Sequence, residues 1–190
     1  MRSIQWKWWL LATPVAMVLL AALGFLMVRT LEMKIAESFK APQIAERETR
    51  PAADYDFRYE TLDGQTHRLS EQRGKVVFAN FWGTWCIRCV AGMPTIQKLY
   101  DTLINDPAVV FVVASRLDTP ATIRLYAKYG HYNLPFDTIE VSDIPAAMQF
   151  NQYPTTFISA KDGSLAETQV GGADWAAPSV SEAIRQPGAE

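Results

Sequence analysis

The chain of 190 residues is 49% hydrophobic, 12% aromatic and 20% charged, which excludes a disordered, collagenous or disulfide-scaffold protein. Eighteen basic residues against 20 acidic ones give a net charge of -2, so no global field points to nucleic acid. The charge is segregated: residues 1–50 hold 7 Lys/Arg and 4 Asp/Glu, residues 51–190 hold 11 and 16, as expected of a basic tether and an acidic body. The two cysteines, Cys86 and Cys89, are spaced C-x-x-C, and one such pair points to chemistry before it points to a structural staple.

Between Lys7 and Arg29 run 21 uncharged residues, Trp8 to Val28. As a helix at about 1.5 Å per residue they cover roughly 31 Å, the hydrocarbon thickness of a bilayer. Trp6, Trp8 and Trp9 cluster at one end, where amphipathic rings favour the headgroup region. A cleaved signal peptide competes with this reading, through the small-x-small site Ala22-Leu23-Gly24, but cleavage there leaves Phe25-Leu26-Met27-Val28 as an exposed apolar start. We therefore read residues 1–28 as a short flank and an uncleaved transmembrane anchor. Arg2 and Lys7 before the span bias the N-terminus slightly toward the inside, with the rest of the chain outside. Residues 29–53 read as a charged stalk in which Leu31, Ile35 and Phe39 give a thin helical stripe before Pro42, and residues 54–190 as one folded domain.

Within that domain, Phe57–Thr61 and Gln65–Leu69 flank Asp63-Gly64 and predict a hairpin. Val76–Phe81 is an apolar, β-rich run suited to a central strand. It leads directly into Trp82-Gly83-Thr84-Trp85-Cys86-Ile87-Arg88-Cys89, and a helix with Met93, Ile96, Leu99 and Leu103 on one face then extends to about Ile104. Val109–Ser115 predicts a second buried strand, Pro120–Gly130 a helix, Ile144–Phe150 a short helix, and Thr155–Ser159 and Leu165–Val170 a strand pair. Trp175–Ile184 predicts a last helix, with Trp175 covering the end of the sheet. Alternating strands and helices imply an α/β layer.

The order strand, W-C-x-x-C, helix has a direct chemical meaning. Cys86 falls in the first turn of the helix, where unpaired N–H groups and the helix dipole favour an anion, so it is the expected nucleophile. Cys89, one turn on, is placed to resolve a mixed disulfide on Cys86. A zinc site is the competing reading, but His67 and His131 are the remaining soft ligands and neither has usable spacing to the pair. A passive disulfide closes too short a loop to constrain the unfolded chain much.

The run FANFWGTWCIRC, with Pro94 after it and Tyr153-Pro154-Thr155-Thr156-Phe157 further on, resembles the thioredoxin superfamily, and within it the membrane-anchored TlpA/ResA-like thiol–disulfide oxidoreductases of bacteria. The likeness covers about Tyr55 to Trp175. It implies a thioredoxin fold, a central mixed sheet flanked by helices, with an added N-terminal β-hairpin and a central insertion at residues 116–141. It also implies that Pro154 is the cis-proline beside the dithiol and that Tyr153 offers backbone polar groups to a substrate. Trp85 and Trp82 flank the motif, as an apolar rim for docking or as core packing. The same resemblance implies a periplasmic enzyme that reduces protein disulfides, in cytochrome c maturation for example. A transmembrane thiol reductase would then supply electrons, with no cofactor beyond the Cys86–Cys89 pair and no metal.

This chain departs from the family at three positions. Arg88 stands where many relatives have Pro; a cation there makes the disulfide more oxidising, unless it is a solvated side chain on a turn. Asn80 and Gly92 stand where relatives place acids that help move the Cys89 proton, which leaves water, Lys75 or the protein partner for that step. A thiol peroxidase is the alternative enzyme, but the P-x-x-x-T-x-x-C pattern is missing, with Asn80 and Gly83 near its Pro and Thr sites. A redox-inactive binding module of the same shape is the non-enzymatic alternative, and the intact C-x-x-C argues against it.

Overall fold

The structure is a computed structural model that describes residues 5–42, 44, 56–145 and 150–185. Helix α1 spans Gln5–Glu37; within Pro14–Glu37 an 18-residue window reaches a mean hydropathy of 2.0 with none of it buried, so the helix is long and apolar enough to cross a membrane. The helix thus runs on into the segment read as a stalk. Beyond it the chain packs on the domain: the Asp174 N–H donates to the Lys40 carbonyl at 2.9 Å, Pro42 is buried, and the Phe39 ring occupies the space that a side chain at Gly172 would need.

Seven strands form one mixed sheet: β1 (Arg58–Thr61), β2 (Thr66–Arg68), β3 (Val76–Trp82), β4 (Val109–Ser115), β5 (Phe136–Thr138), β6 (Thr155–Ser159) and β7 (Leu165–Val170), in the order β2-β1-β5-β4-β3-β6-β7. Strands β3, β4 and β5 run parallel; β1, β2, β6 and β7 pair antiparallel. All seven residues of β3 are buried, as a central strand covered on both faces requires. The register sets Trp82 opposite Ser115 on β4, and Asn80 opposite Thr156 on β6.

Helices α2 (Ile87–Leu103), α3 (Pro120–Gly130) and α4 (Pro178–Arg185) cover one face, packing Met93, Ile96, Leu99, Ile123, Val180 and Ile184 onto Phe78, Trp82, Phe111 and Val113. Thr119 caps α3 by accepting from the Thr122 N–H at 3.2 Å, with Pro120 in the first turn, and His131 closes it in the left-handed region at φ 56°. The other face buries Phe57, Tyr59, Phe81, Val112 and Phe157.

Two differences from the sequence expectations have local causes. Strand β5 lies inside the segment read as an insertion; it is only three residues, FDT, so it has no periodicity to detect and exists because β4 and β1 pair with it. Helix α4 starts at Pro178 and not at Trp175, because proline suits the first position of a helix; the Trp175 indole before it packs edge-on against Phe78, 4.9 Å between centroids. The short helix expected at Ile144–Phe150 falls largely outside the described residues; a 3-10 turn at Val141–Asp143 precedes it.

Asp137, in the middle of β5, is 4% exposed on the face opposite α2, and burial pushes its carboxyl from an ordinary 3.8 up to about 7. Between about pH 4 and about pH 7 the unfolded chain gives up this proton while the folded chain keeps it. Asp137 therefore costs nothing below that window, an increasing amount as pH rises through it, and a constant amount above. Asp137→Asn is expected to gain stability over the parent as pH rises across the window and to hold the gain above it, measured by urea unfolding from about pH 4 to about pH 8.

Candidate active site

The site grows from the C-terminal end of β3. The Trp82 indole N–H donates to the Val113 carbonyl at 3.2 Å, and the Trp82 carbonyl accepts from the Arg116 N–H at 3.1 Å, which locks the ends of β3 and β4 together. Trp82 is fully buried, so its role is core packing. Past it the chain turns through Gly83, where a Cβ would overlap the Trp85 indole. Asp118 anchors this turn: its carboxylate accepts from the Thr84 N–H at 2.8 Å, the Thr84 hydroxyl at 2.7 Å and the Ser115 hydroxyl at 2.6 Å. Nothing in the sequence marks Asp118 as part of the motif, because it lies more than 30 residues away and meets Thr84 only when β3 and β4 pair.

Cys86 is the N-cap of α2. Its Sγ accepts from the Cys89 N–H at 3.2 Å, the position an N-cap oxygen normally takes. Cys86 and Cys89 form a disulfide with 5.2 Å between Cα atoms. The two cysteines are not equivalent, since Cys86 is 9% exposed and Cys89 2%. A thiolate at Cys86 sits at the positive end of the helix with a backbone N–H aimed at it, the arrangement that lowers a thiol pKa.

The peptide Tyr153–Pro154 is cis, Pro154 is buried, and its carbonyl accepts from the Gly171 N–H at 2.8 Å. Tyr153 meets Trp85 edge to face at 5.1 Å. Trp85 is 52% exposed, so it forms a rim and not core, and its indole N–H donates to the Arg116 carbonyl at 3.2 Å. The Arg116 guanidinium in turn donates to the Tyr153 hydroxyl at 3.0 Å. Arg116 thus ties Trp85 and Tyr153, 68 residues apart in the chain, into one wall beside the dithiol; no spacing rule could have found it. Leu117 and Ile87, neighbours in sequence of Arg116 and Cys86, are also exposed.

The positions where acids were missed are also resolved. Asn80 is 1% exposed on the face toward α2; its amide donates to the Thr156 hydroxyl at 2.8 Å, and its Oδ1 has no hydrogen-bond partner among the described residues. Gly92 is buried, with the Phe39 ring 3.5 Å from where its Cβ would stand. Lys75 precedes Val76 at the opposite end of β3, about 20 Å of strand from the motif, so it is not placed to take the Cys89 proton. Arg88 is exposed. His67 pairs with Glu71 at 3.2 Å, and His131 is the cap of α3; neither is brought to the cysteines.

A family model described as Redoxin matches residues 40–184. The chain belongs to the redoxin family. Thiol-disulfide oxidoreductase ResA of Geobacillus kaustophilus is 31% identical over 163 residues, covering 84% of this chain and 85% of that protein. Thioredoxin-like protein YneN of Bacillus subtilis is 35% identical over 118 residues, 61% of this chain and 68% of that protein. Among solved structures, StoA from Bacillus subtilis superposes with a TM-score of 0.57 at 20% identity, covering 70% of this chain and 98% of that one. A thiol:disulfide interchange protein of Chlorobium tepidum gives 0.60 at 19%, covering 74% and 99%. These two show the fold, which is that of thioredoxin. With the Cys-x-x-Cys disulfide and the ResA relatives, the protein is a thiol–disulfide oxidoreductase of the ResA-like branch.

The Arg116–Tyr153 contact is measurable by itself. A double-mutant cycle of Arg116→Met and Tyr153→Phe is expected to return a coupling of about 1–2 kcal/mol in denaturant unfolding, since a charged donor loses a half-buried hydroxyl acceptor.

Proposed function

We propose that this oxidoreductase is held at the bacterial cytoplasmic membrane by α1, faces the periplasm, and reduces disulfides of protein clients. Cys86 is the nucleophile and Cys89 the resolving thiol. The observation that carries this assignment is the asymmetry of the pair: Cys86 is the more exposed residue, at the N-cap of α2, with the Cys89 N–H donating to its sulfur.

In the reduced enzyme the Cys86 thiolate attacks a client disulfide. A Cys86–client bond forms, the client S–S bond breaks, and the far client sulfur leaves as a thiolate. Cys89 then loses its proton and attacks the Cys86 sulfur, which releases the second client thiolate and leaves the Cys86–Cys89 disulfide. Two electrons pass to the client, and the enzyme is oxidised. Asn80 and Gly92 offer no carboxylate for the Cys89 proton, so water or the departing client thiolate takes it. Return to the dithiol needs a thiol donor of the same compartment, and a transmembrane thiol reductase fits that requirement. Trp85, Tyr153 and the cis Pro154 form the wall against which the client segment lies, with Tyr153 backbone groups available to it. Apocytochrome c is a client of the right chemistry, a periplasmic polypeptide with a paired C-x-x-C. Arg88 on the exposed first turn of α2 raises the potential of the pair relative to a proline there.

Cys89→Ser in the full chain is expected to accumulate mixed disulfides through Cys86 with periplasmic proteins, visible on non-reducing gels. Cys86→Ser should accumulate none, and equal trapping by the two variants would reverse or remove the assignment. The reductase direction is tested separately by the equilibrium potential in a dithiothreitol or glutathione series. A value near or below about -250 mV supports a reductant, and one above about -180 mV makes the protein an oxidant or isomerase.

A further inference from the structure

A groove of about 770 Å³ separates α1 from the catalytic domain. One wall is α1, with Phe25 and Val28; the other is α2 and α3, with Val90, Pro94, Leu125 and Tyr129. The depth of the α1 wall in a bilayer follows from chain length. If the uncharged run Trp8–Val28 fills roughly 30 Å of hydrocarbon, Val28 stands at its edge and Phe25 about 4–5 Å inside. Side chains that line the same groove at that level stand at the boundary between acyl chains and headgroups.

The α3 residues there suit such a boundary and are poorly suited to water. Leu125 and Tyr129 are one turn apart on one stripe, 55% and 75% exposed, and covered by nothing among the described residues. Tyr129 carries an apolar ring and a polar tip, the residue type that concentrates at membrane interfaces. Arg29, the first charge after the span, lines the groove paired with Glu32 at 3.3 Å, and the exposed Lys128 adjoins Tyr129 in the last turn of α3. Arg29 also stacks over the Phe25 ring at 5.8 Å, which marks this turn of α1 as the exit from the apolar layer.

We propose that the Leu125–Tyr129 stripe of α3 rests in the lipid interface beside α1, so that lipid fills the groove and the domain lies against the membrane. This rests on the reading of α1 as a membrane anchor. Thr84 of the motif turn lines the same groove, so the dithiol end of the sheet is held close to the bilayer.

The test uses the full chain, with Cys86–Cys89 kept as the disulfide, in phosphatidylcholine–phosphatidylglycerol vesicles. Leu125→Cys and Tyr129→Cys are spin-labelled singly, and Lys98→Cys, exposed on α2 and outside the groove, is the aqueous control. At 125 and 129 the ratio of collisions with oxygen to collisions with a water-soluble nickel chelate is expected to be severalfold higher than at 98. Equal ratios at all three positions would overturn the proposal, with α3 in water. So would suppression of both kinds of collision at 125 and 129, which means a second copy of the chain fills the groove. Alkaline carbonate extraction of the protein from the vesicles separates the two readings. A chain that washes off removes the anchor and this proposal together, whereas one that stays on with aqueous labels removes this proposal alone.

Discussion

The junction of β3 and β4 at Trp82 is the constraint on which the site depends. Trp82 is fully buried, its indole bonded to the Val113 carbonyl and its own carbonyl bonded to the Arg116 N–H. Seven matched residue pairs hold the two strands parallel up to that point. Because the register is set there, Asp118 arrives beneath the motif turn and takes three hydrogen bonds from Thr84 and Ser115. A turn that gives two hydrogen bonds to a carboxylate itself fastened to Ser115 of β4 leaves α2 a single place to begin, with Cys86 as its cap. The chemistry of the dithiol is therefore a consequence of strand register as much as of the cysteines.

Around that fixed start, the structure spends its polar groups unevenly. The exposed side of the cysteine pair is built from aromatic faces tied by Arg116, while the buried side is an amide on Thr156 and a glycine facing Phe39. Asp137, the one carboxyl group raised toward neutrality among the described residues, belongs to the opposite face of the sheet with Tyr59, whose hydroxyl it helps push up to about 12, behind burial as the main cause.

Phe39 joins the two parts of the chain. It follows α1 by two residues and packs at Gly172 and Gly92, so the end of the apolar helix is fastened close to the back of the dithiol helix. A short connection of this kind limits how far the domain can tilt away from α1, and it is what gives the groove between them a definite shape.

Much of this was legible beforehand, for identifiable reasons. The seven-residue run VVFANFW, the helix spacing of Met93, Ile96, Leu99 and Leu103, and the hairpin around Asp63-Gly64 are local patterns, and local patterns survive into the fold. The C-x-x-C at a strand-to-helix step carries its chemistry with it, because the first turn of any helix favours an anion. The cis bond at Pro154 was legible only through the family resemblance, since a proline at a strand edge is otherwise trans. Strand β5 was not legible, because three residues have no period, and neither were Asp118, Arg116 and Phe39, whose partners lie tens of residues away. Exposure of Trp85 against burial of Trp82, three residues apart, was decided by tertiary packing alone. The sequence by itself determined what chemistry the chain carries; the tertiary structure decided which distant side chains support it, because hydrogen bonds of that separation exist only once the strands have paired.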